Sequence, residues 1–133
     1  MELHTYFDPA RERHEKDSMF EQNQWVFKLG SYTVSVLAHR NRNGKWITNS
    51  TDQEPYELAI LDKTGNMISG EIGRLTENLV NQILCDVKEC VSRGITLDEV
   101  EVVKISLRAL EMKKYLNCIL SFRGIKKIKK FFS

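Results

Sequence analysis

The chain has 133 residues, 41% of them hydrophobic and 29% charged, with a formal net charge of +2. That length fits one domain spanning residues 1–133, burying about two thirds of its unfolded surface, and the composition excludes a disordered chain. Cys85, Cys90 and Cys118 match neither a disulfide framework nor a paired zinc motif, and Glu2 with no apolar run behind it does not read as a signal peptide, so a cytoplasmic location is expected.

Asp8-Pro9 has the form of a helix start, with an aspartate cap followed by a proline that loses no hydrogen bond. A charged, solvated helix is predicted from about Pro9 to Gln22, anchored only by Ala10, Met19 and Phe20. From Trp25 the period changes to two, and Tyr32, Val34, Val36 and Ala38 alternate with Thr33, Ser35 and Leu37 as a strand with one face on the core. Asn43-Gly44 supplies a tight hairpin turn, and Lys45 to Thr48 are expected to return as the partner strand.

After a polar loop, Tyr56 to Leu61 read as a strand with Tyr56, Leu58 and Ile60 on one face. A turn at Asp62 to Asn66 and a short Met67-Ile68-Ser69 strand complete a second hairpin. Gly70 to Gly73 read as a flexible connection, because Glu71 is wrong for a phosphate-clamping G-x-x-G loop. Thr76 is placed to cap a helix over about 76–93, in which Leu79, Val80, Ile83, Leu84, Val87 and Val91 recur at helical spacing, and this stripe is expected to cover the Tyr56, Leu58 and Ile60 face.

Residues 97–122 admit two readings. Val102, Ile105, Ala109, Met112, Leu116 and Ile119 keep a helical spacing behind a capping box at Thr96 to Glu99, which favours a long helix. Val103 to Ala109 also alternate strictly, so a β-hairpin turning at Glu111 to Lys114 is the alternative, although no glycine, asparagine, aspartate or proline marks that turn. The fold class is therefore α+β, a small antiparallel sheet of three to five strands with an N-terminal charged helix and an amphipathic helix packed on it.

Charge is segregated along the chain. Residues 112–133 hold seven basic side chains and no acidic one, so the remaining residues carry a net charge of −5, the difference between +2 and +7. Within the basic amphipathic tail at 123–133, Arg123, Lys126, Lys127, Lys129 and Lys130 are candidates for contact with nucleic acid or an acidic partner face. A second cationic cluster lies at the predicted hairpin tip, where Arg40, Arg42 and Lys45 flank Asn43-Gly44 beside Trp46. Arginine and tryptophan there suit a groove or an interface hot spot.

Catalysis finds little footing. G-x-S-x-G, H-E-x-x-H, Walker and G-x-G-x-x-G motifs are absent from the sequence, and His4, His14 and His39 fall in three different predicted elements. No catalytic residue, metal ligand or cofactor is assigned.

The charged leading helix, the small antiparallel sheet with its Tyr-Glu-Leu-Ala-Ile-Leu-Asp-Lys-Thr-Gly-Asn strand and turn at 56–66, the amphipathic helix and the basic end together resemble small bacteriophage-encoded accessory proteins. In plan the chain is most similar to anti-CRISPR inhibitors of Cas nucleases. The resemblance implies a non-catalytic protein in a bacterial host cell that inhibits or modulates a nucleic-acid-targeting complex, with a Cas effector as partner. The net basic tail departs from inhibitors that mimic DNA through an acidic surface. Two other readings stand beside it: a nucleic-acid-binding regulator acting alone through tail and hairpin, and a small enzyme. No transmembrane segment is expected, and the oligomeric state is not readable.

Overall fold

The computed structural model describes residues 1–121, with side chains through residue 113. Five strands, β1 (Arg11–Lys16), β2 (Phe20–Leu29), β3 (Tyr32–Asn41), β4 (Tyr56–Leu61) and β5 (Ile72–Leu75), precede two helices, α1 (Glu77–Ser92) and α2 (Glu99–Ser121). The strands form one five-stranded sheet in chain order, each neighbouring pair antiparallel. The α+β class is therefore as expected, with the sheet at the upper end of the anticipated size.

The N-terminus corrects the sequence reading. Where a charged helix was predicted from Pro9 to Gln22, the chain forms β1 and the start of β2, paired from Arg11↔Val26 to Lys16↔Glu21. The Asp17 carboxylate accepts the backbone N–H of both Met19 and Phe20 at 2.7 Å, which closes the turn between the strands. A helix with so few apolar positions has no face to bury, whereas an edge strand needs none. All six β1 residues are exposed, and their charges guard the sheet edge against pairing with another chain.

One sheet face carries the core. Trp25, Val36 and Leu58 stand side by side across β2, β3 and β4, as do Phe27, Val34 and Ile60, and none of the six is more than 1% exposed. Thr76 caps α1 by accepting the Leu79 N–H at 3.2 Å, so Leu79, Val80, Ile83, Leu84 and Val87 lie buried with the Tyr56, Leu58 and Ile60 face, as their spacing predicts. Each large side chain so buried contributes about 1.5–3 kcal/mol from removal of apolar surface.

The two predicted hairpin returns are shorter than expected. Asn43-Gly44 does turn the chain, with Gly44 at φ +76 and the Asn41 side chain accepting the Asn43 and Lys45 N–H groups at 3.0 Å. The return at Lys45 to Thr48 is reduced to one bridge, Arg40↔Trp46, because the rest of β3 on that edge is taken by β4. Met67 to Ser69 likewise make only the bridge Leu61↔Met67, and the strand beside β4 is β5, part of which had read as a flexible connection.

Residues 99–121 are helical, so the hairpin alternative falls. Asp98 accepts the Glu101 N–H at 2.9 Å at the start of α2, and Val102, Ile105 and Ala109 are buried. Leu97, also buried, donates its N–H to the Tyr32 hydroxyl at 2.8 Å, which ties the α1–α2 connection to β3.

Candidate functional site

The sheet end where β1 turns into β2 and β3 turns at Asn43-Gly44 gathers one set of predicted site residues. The two turns are stitched together, since the Arg42 N–H donates to the Met19 carbonyl at 2.8 Å. The Arg40 guanidinium lies over the Trp46 ring, 4.9 Å from its centroid, and also bonds the Glu21 carboxylate at 2.9 Å. Trp46 in turn donates its indole N–H to Asp52 at 2.9 Å. Stack, ion pair and indole bond fix both planar groups.

The four predicted finger residues thus divide by role. Arg40 and Trp46 are half-buried and engaged within the fold, whereas Arg42 and Lys45 are exposed and form no ion pair among the described residues. Lys16 joins them from the end of β1, as do the exposed apolar side chains of Met19 and Phe20. Lys16, Phe20, Glu21, Arg40 and Arg42 line a shallow cleft of about 250 Å³ between the turns. Partial burial opposes ionisation of Glu21, but Arg40, Asn23 and Lys16 more than offset it, so its pKa falls below the ordinary 4.5.

Sequence pattern alone does not bring Lys16, Phe20 and Glu21 to the tip, because their charged segment reads as a helix. Asp17-Ser18, a turn-favouring pair between charged and apolar runs, was the available signal. Arg123, Lys126, Lys127, Lys129 and Lys130, with the rest of the predicted tail, lie outside the described residues.

A second polar cluster sits along β1 to β3, away from the tip. His14 contacts the Asn23 Oδ1 through Nδ1 at 2.7 Å and the Glu12 carboxylate through Nε2 at 2.9 Å, and Trp25 donates its indole N–H to the same Glu12 oxygen at 2.9 Å. Hydrogen bonds to Asn23 and Glu12 raise the His14 pKa above 6.5. Burial lowers that of His39, whose Nδ1 accepts the Asn23 backbone N–H at 3.1 Å. Read as a helix, positions 12 and 14 point apart; on a strand they share a face, which is why the His14–Glu12 pair was not anticipated.

Between the helices, the buried Asp86 accepts from Arg108 at 2.8 Å and Gln82 at 3.1 Å, and its Oδ2 has no hydrogen-bond partner. Cys90 lines the same cleft, and burial raises its thiol pKa, the reverse of an activated nucleophile. Among the described residues, no group of three or more His, Cys, Asp and Glu side chains is placed to hold a metal ion, and no helix is long and apolar enough to cross a membrane.

No protein-family model matches the chain, and no significant match was found among curated proteins or solved structures.

Proposed function

We propose that the chain is a non-catalytic binding protein that docks the β1–β2 and β3 turns on an anionic partner, a host nucleic-acid-targeting complex, and thereby inhibits or modulates it. The observation that carries this reading is the Arg40–Trp46 stack. A guanidinium held by Glu21 and an indole held by Asp52 give the tip a rigid base, from which Arg42, Lys45 and Lys16 project without ion-pair partners among the described residues. Preorganisation of that kind lowers the entropy lost on binding, and unpaired cations attract phosphate or carboxylate. The resemblance to phage-encoded anti-CRISPR proteins supplies the biological setting, a protein of a phage or mobile element acting in the bacterial cytoplasm. The mixed neighbourhood, in which Asp17 and Glu21 lie beside the cations, favours a composite protein and nucleic-acid surface over bare duplex.

Affinity capture from a bacterial lysate, with and without nuclease, tests the reading. A protein complex retained by the wild type and lost with Arg42→Ala/Lys45→Ala supports it. Retention unaffected by that double substitution overturns the assignment of the tip. Tight, sequence-dependent and salt-sensitive binding of the purified protein to RNA or DNA supports instead a regulator acting alone, a reading favoured by the exposed Arg42 and Lys45.

A further inference from the structure

Helix α2 is apolar on two opposite faces. Val102, Ile105 and Ala109 are 3%, 5% and 2% exposed against the body, while Val100, Val103, Leu107 and Leu110 are 62%, 54%, 50% and 46% exposed. At about 100° per residue the two sets centre roughly 145° apart. A helix with one side on a core normally turns charge to water on the other. Here the outward set repeats at intervals of three, four and three residues, the a and d spacing of paired helices.

We propose that this outward face is a self-association surface, on which a second copy of the chain docks with the two α2 helices parallel about a two-fold axis. Charge along the seam selects that occupant. Glu99 and Lys113 border one side, with Lys104 and Glu111 on the other, and Lys113 is held by Glu54 at 2.6 Å, so there is no basic excess along these flanks to draw an anionic lipid surface or a phosphate backbone. The same arrangement is complementary to itself: with Val100 and Leu107 at a and Val103 and Leu110 at d, Glu99 at g meets Lys104 at e of the second copy, twice by symmetry. Lys104 now pairs with Glu101 at 3.2 Å, with side chains 66% and 28% exposed, a contact readily exchanged.

The geometry permits the approach. The body packs on the opposite side of α2, so each body lies outside the helix pair. Because the body already holds α2 in shape, the seam does not bear the cost of ordering the helix, which a stripe of four residues could not carry alone. In sequence the seam ends where Lys114 and Asn117 take the next a and d positions. An interface this small implies micromolar affinity.

Sedimentation equilibrium of the full chain tests the proposal. From about 1 to 100 µM the mass should rise from 15.5 kDa toward twice that value. Leu107→Glu should weaken association about tenfold or more, with circular dichroism and Tm confirming that the exposed substitution leaves the fold intact. Glu99→Lys and Lys104→Glu should each weaken the dimer several-fold, and their combination should restore it. A monomer throughout the range, or a dimer indifferent to Leu107→Glu, overturns the proposal. So does a monomer that instead binds anionic phosphatidylserine vesicles through Leu107. Failure of the charge pair to restore association overturns the parallel arrangement.

Discussion

The Nδ1 of His14 lies 2.7 Å from the Oδ1 of Asn23, and this contact sets the protonation of the ring. The Asn23 amide nitrogen is committed to the Ala38 carbonyl at 3.0 Å, so the oxygen faces His14 and Nδ1 must donate. Nε2 faces the Glu12 carboxylate and must donate as well, so the contacts favour the imidazolium.

A pH-dependent latch on the edge strand follows. The His14 pKa is raised from 6.5 by the bonds to Asn23 and Glu12, so its contribution is fully present below 6.5 and is lost as pH rises through the folded value. That of Glu12 is lowered from 4.5, chiefly by the hydrogen bond to His14, so its contribution is present above 4.5 and is lost as pH falls through the folded value. The pair therefore holds β1 most firmly between those two values. With the His14 side chain 39% exposed, solvent screening limits its share to about 0.5 kcal/mol. His14→Gln should lower Tm most near pH 5.5 and hardly at all near pH 8.5. An equal loss at both pH values would disprove the ionic latch.

His39 should titrate in the opposite sense. Burial depresses its pKa below 6.5, so it favours folding above that pH and opposes it as pH falls. Proton NMR of the ring signals should place His14 and His39 on either side of 6.5. Finding both on the same side would contradict the roles given to the two rings beside Asn23.

At the tip, Arg42→Ala and Lys45→Ala should each leave stability within about 0.5 kcal/mol, since both are exposed and form no ion pair among the described residues. If phosphate is part of the partner, each should reduce the salt slope of binding by about one. Trp46→Ala should weaken binding more than its own contact implies, because it also frees Arg40 from the stack. The checks are the salt dependence of capture or anisotropy, and a slope unchanged in both single variants would remove phosphate from the interface.

At Gly30 a positive φ and a close neighbour both oppose substitution. Gly30 turns β2 into β3 at φ +63, and an added Cβ would lie 2.6 Å from Val91 Cγ1. Gly30→Ala should cost about 2 kcal/mol from backbone strain and the clash together. Gly65→Ala, at φ +85 but facing open space, should cost about 1 kcal/mol. Urea unfolding of both variants separates the two terms, and equal losses would show that the Val91 contact relaxes freely.

Arg108 offsets the charge of Asp86, which is 6% exposed and has one unpartnered oxygen. Because Arg108 is itself 63% exposed, Arg108→Ala should cost about 1–2 kcal/mol, less than breaking a fully buried pair. Adding Asp86→Ala should recover part of that loss by removing the stranded carboxylate. Additive losses in thermal unfolding would show that the pair is not coupled.

Periodicity made several elements legible. Tyr56, Leu58 and Ile60 alternate as a strand must, and the Thr76 cap with its Leu79 to Val87 stripe could be read from spacing alone. The segment from Arg11 to Gln22 could not, because charged residues carry little information about period when none is buried. Its conformation was decided by β2, which offers β1 a hydrogen-bonding edge, and by the Asp17 turn. The same error hid half of the tip, since Lys16, Phe20 and Glu21 approach Arg40 and Arg42 only once the β1–β2 turn exists.

The sequence by itself determined an α+β domain with a sheet, a capped helix over it and a cationic turn at Asn43-Gly44, because alternation, capping and turn chemistry are local properties of neighbouring residues. Only the tertiary structure decided which cations are held within the fold and which are left unpaired. Arg40 meets Glu21 through strand register and Trp46 through the turn, while Arg42 and Lys45 find no ion-pair partner among the described residues. Likewise the spacing of α2 could be read as apolar but not as two-faced, since which stripe is buried depends on where the body lies, and that is settled by packing across the whole chain.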